Sequence, residues 1–197
     1  VRDEEDGRLF TATALPRCGD DGEYVARHGH GYSRFQHAEH GIELDLLQYV
    51  PVDDGLKISR LRLRNRSGRA RRLSVTAFVQ WALGPNGTRP APFVATSLDD
   101  DTGALLATNT WRAEFGERVA FIDLRGRQQS HDGDRLCFLG RHGDLSAPAA
   151  LRDGQPLAGR TGAGLDPCGA LHASIELPAD GEDEIVLLLG DAKDAGA

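Results

Sequence analysis

KISRLRLRNRSGRARRLSVTAFVQWAL, residues 57–83, alternates apolar and polar side chains on either side of a turn-forming centre. Leu61 and Leu63 alternate with Arg60, Arg62 and Arg64. After NRSGR, Leu73, Val75, Ala77, Val79 and Trp81 alternate with Ser74, Thr76 and Gln80. Successive side chains of an extended chain point to opposite faces, so this period of two predicts two strands, each with one buried and one wetter face. The short polar centre predicts that they pair as a hairpin. Phe78 is an apolar exception on the wetter face, which predicts that something covers it there.

The same pattern spreads outward. In GIELDLLQYVPV, Ile42, Leu44 and Leu46 fall on one face with Glu43 and Asp45 on the other. LDDDTGALLATN reads as strand–turn–strand around Asp101, Thr102 and Gly103. VAFIDL, RLCFLG, ALHASIEL and EIVLLLG have the lengths and residue types of core strands, separated by Gly, Pro and Asp turns. The one helix predicted is short, around SAPAAL. Regular short strands of this kind imply an all-β, antiparallel sandwich or barrel with few short helices. The 197 residues fit a single domain spanning 1–197.

Composition narrows the function classes. A net charge of −7 argues against general attraction to nucleic acid or an anionic membrane. No apolar run approaches the roughly 20 residues needed to span a bilayer, so direct membrane insertion is not expected. Three cysteines (Cys18, Cys137, Cys168) without a CxxC pair support neither a disulfide framework nor a zinc ribbon, and a cytoplasmic setting is expected. The chain has no methionine and opens on VRDEEDGRLF without a secretory pattern, so it is expected to be a piece of a longer protein.

Candidate chemistry concentrates in RHGHGYSRFQHAEHG, residues 27–41, which holds His28, His30, His37 and His40. On a strand, His28 and His30 would share a face and could offer two imidazoles to a metal ion. A polar surface turned toward a ligand or a neighbouring domain is the preferred reading, with no metal and no cofactor. The basic run from Lys57 to Arg72 lacks interleaved aromatics, so it reads as a solvated sheet face or as a dock for an acidic partner domain, not as a nucleic-acid patch. LDDDTG lacks the distal Glu of a calcium loop, and GRTGAG lacks the strand-to-helix context of a phosphate loop.

RHGHGYSRF together with HGIELDLLQYVPVDDGLKISRLRLRNRSGRARRLSVTAFVQWALG resembles the N-terminal β-domain of inverting glycoside phosphorylases. This is glycoside hydrolase family 94, formerly glycosyltransferase family 36, and the likeness is greatest to the phosphorylase-like region of cyclic β-1,2-glucan synthases. LDDDTGALLATN, RLCFLGRHGDLSAPAAL and GRTGAGLDPCGALHASIELPADGEDEIVLLLG continue the likeness over nearly the whole chain. The resemblance implies a large supersandwich of galactose mutarotase-like fold and further strands ahead of VRDEEDGRLF. It also implies a following (α/α)6 catalytic barrel that holds the general acid and the phosphate site. Partners so implied are that barrel in the same parent chain, a β-glucan or glucoside with phosphate, and a homodimer. The parent could be anchored at the inner membrane with this domain on the cytoplasmic side.

No catalytic residue is assigned to this segment. The loop after Trp81, LGPNGTRPAP, resembles the family loop that reaches a partner subunit's pocket, so Asn86 and Arg89 are candidate contacts to sugar or phosphate, with His28 and His30 as further rim candidates. Trp81 itself alternates with Val79 and is expected in the core. Two rival functions stand beside this reading. An autonomous carbohydrate-binding module would need exposed aromatics. An aldose epimerase would use His28 or His37 with Glu39 or Glu43 as acid and base.

Overall fold

A computed structural model describes residues 1–19, 22–84, 91–111 and 116–193. Two antiparallel sheets stack face to face. The small sheet has four strands in the order β1 (Arg2–Asp3), β6 (Arg71–Gln80), β11 (Pro167–Leu177), β10 (Ser130–Asp134). The large sheet has eight: β2 (Val25–Gly29), β3 (Tyr32–Glu39), β4 (Ile42–Tyr49), β5 (Leu56–Asn65), β12 (Glu182–Ala192), β9 (Val119–Asp123), β8 (Leu105–Asn109) and β7 (Val94–Leu98). The all-β antiparallel sandwich expected from the alternation is what forms. No helix among the described residues is long and apolar enough to cross a membrane.

The core lies between the sheets. Leu73, Val75, Leu171, Ala173 and Ile175 from the small sheet meet Ile42, Leu44, Leu63, Leu105, Ile122 and Ile185 from the large one. Burial of such side chains, each contributing about 1.5–3 kcal/mol, is the main force holding the layers together. Gly169 lets the sheets approach closely, since a Cβ there would lie 2.7 Å from Ile122 and 3.0 Å from Trp81. Trp81 is buried, as its alternation with Val79 predicts.

The deciding stretch departs from the expected hairpin. β5 pairs with β4 and β12, whereas β6 pairs with β1 and β11, so the turn at residues 66–70 carries the chain from one sheet to the other. Alternation reports which face is buried but not which strand is the neighbour. The physical reason for the crossing is Asn65. Its buried amide donates to the carbonyls of Arg69, Leu177 (3.2 Å) and Pro178 (2.8 Å), and its Oδ1 accepts from the Ser67 N–H and hydroxyl. Leu177 ends β11, and residues 178–181 are another crossing, back to the large sheet. One side chain therefore ties two of the crossovers.

Arg71 makes a second tie nearby. It donates to the His40 carbonyl at 2.9 Å in the β3–β4 turn and pairs with buried Asp3 on β1. Burial alone would raise the Asp3 pKa, but the Arg71 hydrogen bond, the Glu5 N–H and the neighbouring guanidinium charges hold it below the usual carboxylate value.

Two other expectations change. RLCFLG is not a strand, because the strand ends at Asp134 and Arg135–Leu139 forms the short helix α1. Asp134 caps it by accepting from the Leu136 N–H, Gly140 follows at φ 85°, and a five-residue apolar run cannot by itself distinguish helix from strand. SAPAAL supplies only a single 3-10 turn, Ala149–Leu151. The cover predicted for Phe78 is found in α1, whose Phe138 ring stacks on Phe78 with centroids 5.0 Å apart. All three cysteines are free thiols; Cys18 is exposed and Cys168 buried.

Replacing Asn65 with Ala removes the donor to the buried Leu177 carbonyl and to the partly buried carbonyls of Arg69 and Pro178. The expected loss is about 2–4 kcal/mol in urea-induced unfolding. Ser67→Ala, which removes one hydroxyl donor at a more exposed position, is expected to cost less than half as much.

Candidate functional site

β2 and β3 form a hairpin whose two-residue turn is His30–Gly31, with Gly31 at φ 82°. β2 ends at Gly29, so the HxH pair does not share a strand. His28 is hydrogen-bonded to the Ser33 hydroxyl at 2.9 Å and meets the Phe35 ring edge-on. His30 instead lines a groove on the opposite, open face of the large sheet. Among the described residues no group of three or more His, Cys, Asp or Glu is placed to hold a metal ion.

His37 and His40 flank a buried carboxylate. Glu39 lies 3.3 Å from His37 Nε2 through one oxygen and 3.2 Å from His40 Nε2 through the other. The His37 ring stacks on Tyr24 at 3.8 Å, nearly parallel. This cluster pins residues 22–24 onto the inner face of β3. Glu43 projects from the other face and pairs with Arg66, so of the two acids considered for an epimerase only Glu39 stands beside a histidine, and that pair is buried.

The groove, of about 630 Å³, is the most ligand-sized feature of the open face. It runs from the His30–Gly31 turn across β3, β4 and β5 to β12. Tyr32 stands directly opposite Tyr49 at its upper end. Below them Asp45, Arg62 and Glu184 are register neighbours across β4, β5 and β12. Arg34 donates from Nε to Asp45 at 2.8 Å, and Arg60 pairs with Glu184 at 2.8 Å. The arginine-rich face predicted as solvated is thus largely matched by acids on adjacent strands, including Arg64 with Glu182 at 2.8 Å. The Arg34 hydrogen bond holds the Asp45 carboxyl below its usual pKa; partial burial opposes this, and the charges of Arg34 and Arg62 add to the lowering.

A second exposed feature lies at the far end of the large sheet. Phe93 (43% exposed) and Trp111 (58% exposed) sit just beyond the paired ends of β7 and β8, with ring centroids 4.3 Å apart. Asn86 and Arg89 lie outside the described residues, on the segment between Gly84 and Ala91. The aromatic pair was not legible in the sequence, since Phe93 and Trp111 are 18 positions apart and neither belongs to an alternating run. In LDDDTG, Asp99 accepts from the Thr102 N–H at 3.1 Å, which makes it the hairpin turn expected. In GRTGAG, Gly162 bridges to Thr96 on edge strand β7.

The family described as glycosyl hydrolase 94, supersandwich domain, matches residues 1–197. The chain is 36% identical over 192 residues to the cyclic beta-(1,2)-glucan synthase NdvB of Rhizobium meliloti (strain 1021), covering 98% of this chain and 7% of NdvB. It is 23% identical over 202 residues to the N,N'-diacetylchitobiose phosphorylase of Vibrio furnissii, covering 100% of this chain and 25% of that protein. It is 31% identical over 154 residues to the solabiose phosphorylase of Paenibacillus borealis, covering 77% and 20%. The chain therefore spans a quarter or less of the length of these relatives.

The Arg34–Asp45 pair gives the open face a pH signature. Because the folded pKa of Asp45 lies below its unfolded value, its stabilisation is complete well above about pH 4 and is lost as the pH falls through the folded pKa. Urea midpoints of the wild type and Asp45→Asn are expected to differ most near neutral pH and to converge as the pH falls below the folded pKa of Asp45.

Proposed function

The chain belongs to the glycosyl hydrolase 94 supersandwich family, and from that membership we propose that it is a non-catalytic framework domain of a larger phosphorylase or glucan synthase. It packs on an (α/α)6 catalytic domain of the same parent chain, helps shape the sugar pocket there and supports a homodimer. The observation that carries this reading is the match of the whole chain to the supersandwich family, joined to relatives named as phosphorylases and a glucan synthase. In the intact enzyme, phosphate would attack a glycosidic bond with inversion while a carboxylic acid elsewhere in the parent protonates the leaving oxygen, a parallel to inverting hydrolysis with phosphate replacing water.

The geometry supports the non-catalytic role. The buried Glu39 is shared between His37 and His40 under a pinned segment, and Asp45 and Glu184 are engaged by arginines. A general acid needs access to a substrate oxygen, and these carboxylates are committed to neighbouring side chains. The exposed Phe93–Trp111 pair supports a contact at the β7–β8 end of the large sheet, and Phe93 follows closely in sequence on Asn86 and Arg89. The two rings are tilted by 39°, and exposed aromatic side chains are common anchors of protein contacts. His28 and His30 are secondary rim candidates, His30 on the open face and His28 on the inner one.

The isolated 197-residue chain is expected to release no sugar phosphate from β-glucosides in phosphate buffer. Deleting the same segment from the parent protein is expected to abolish phosphorolysis and leave the remainder aggregated or markedly less stable. Trp111→Ala in the parent should raise KM for the acceptor sugar or weaken dimerisation while the fold of this domain persists. Turnover by the isolated chain, or full activity after the deletion, would refute the proposal.

A further inference from the structure

The open groove of the large sheet has a composition that the framework role does not require. Tyr32 is 46% exposed, and its ring lies across Gly29: a Cβ on Gly29 would fall 2.1–2.8 Å from the ring carbons and hydroxyl. Glycine there lets the aromatic ring rest flat on β2, one face against backbone and the other toward solvent. Tyr49, its cross-strand partner on β4, also lines the groove. A flat aromatic face bordered by hydrogen-bonding side chains suits a sugar ring, whose axial C–H groups are apolar and whose equatorial hydroxyls are polar.

The charges below the platform are unbalanced. Arg27, Arg34, Arg60 and Arg62 line the groove against only Asp45 and Glu184, in a chain whose overall charge is −7. Both carboxylates already serve an arginine, Asp45 with Arg34 and Glu184 with Arg60. Arg27 donates to the neutral amide oxygen of Gln36. Arg62, between Asp45 and Glu184 in register, makes no hydrogen bond or ion pair among the described residues. Two guanidinium groups are thus left over in a concave site of about 630 Å³, within the size range of small-molecule sites. Guanidinium forks match phosphate and carboxylate oxygens, and charge-assisted hydrogen bonds of this kind are the strong ones.

We propose that this groove binds an extended saccharide bearing an anionic substituent, with a sugar ring on the Tyr32 face and the substituent on Arg62 and Arg27. The Arg34–Asp45 and Arg60–Glu184 pairs offer donors and acceptors to the hydroxyls between. The inference goes beyond the framework role and concerns a different surface from the loop end of the domain. Failure of the binding test leaves the deletion and turnover experiments to judge the framework role separately.

Titration calorimetry of the 197-residue chain at low salt compares a β-glucan hexasaccharide, its 6-phosphate monoester and inorganic phosphate. The monoester is expected to bind about tenfold or more tighter than the neutral oligosaccharide, a margin of about 1.4 kcal/mol. That margin should close in about 0.5 M salt as screening sets in. Tyr32→Ala and Gly29→Ala, the latter lifting the ring without removing it, should each weaken both saccharides about tenfold with unchanged melting temperatures. Arg62→Gln should erase only the preference for the monoester, and Cys18→Ser should change nothing. No saccharide binding at millimolar concentration, affinity indifferent to both platform variants, or no preference for the monoester would each overturn the proposal. So would inorganic phosphate binding as tightly as the monoester, since that marks an ion site alone.

Discussion

The two sheets are held in one arrangement by polar ties at a single end, and the rest of the sandwich depends on them. Hydrophobic burial between the layers is large but non-directional, so it would tolerate many relative placements of the sheets. Asn65 removes that freedom by binding the Arg69 carbonyl in the 66–70 crossover and the Leu177 and Pro178 carbonyls where the chain leaves β11 for the large sheet. Arg71, ion-paired with Asp3 inside the small sheet, donates from its other terminal nitrogen to the His40 carbonyl in the β3–β4 turn of the large one. A buried ion pair of this kind adds little net stability over an apolar substitute. Breaking it strands a charge in a dry site, at a cost of about 3–5 kcal/mol. Register and layer placement are what these residues specify.

Once the layers are fixed, the two faces of the sandwich have different fates. The outer face of the small sheet is covered by α1, with Phe138 on Phe78 and Leu157 and Ala170 packed alongside. The outer face of the large sheet has no such cover among the described residues and instead carries a ladder of arginines and carboxylates. Exposed pairs of that kind contribute only about 0–1 kcal/mol each, so stability does not account for their number. They keep an open sheet face wet and leave its middle strands free to present side chains in fixed register. A rigid, uncovered sheet is a better base for a binding groove than a loop, because each side chain is positioned by cross-strand hydrogen bonds on both sides.

Much of this was legible in the sequence, and what was not has a common cause. Period-two alternation exposed the strands, the inward side chains of Leu61, Leu63, Leu73 and Val75, and the buried Trp81, because each depends only on a residue and its near neighbours. The partner of each strand depends on contacts far along the chain, so β5 and β6 were read as a hairpin although they lie in different sheets. RLCFLG failed for a different reason: its helical state is decided by the Asp134 cap and by packing on Phe78, neither visible in the apolar run. The histidine stretch was read as a polar surface, and the structure divides it: His37 and His40 clamp Glu39, His28 braces Ser33, and His30 borders the groove. Family likeness recovered the architecture and not the groove, since the latter rests on Tyr32 lying over Gly29, a contact between backbone and ring across two strands.

The separation of groove and loop end also constrains how the domain can serve a larger enzyme. Tyr32 and Tyr49 belong to the β3–β4 half of the large sheet, whereas Phe93 and Trp111 stand beside β7 and β8 at its opposite edge. A contact at the Phe93–Trp111 end leaves the groove free, and a chain held in the groove can extend over the sheet without reaching that end. Two contacts on one rigid scaffold act through effective concentration: holding a polymer at one raises its local availability near the other, provided the polymer can span the distance between them. A compact sugar phosphate would gain nothing from such an arrangement, whereas a long saccharide would. If both proposed contacts hold saccharide, their separation on opposite halves of the large sheet suits a polymeric ligand better than a monosaccharide.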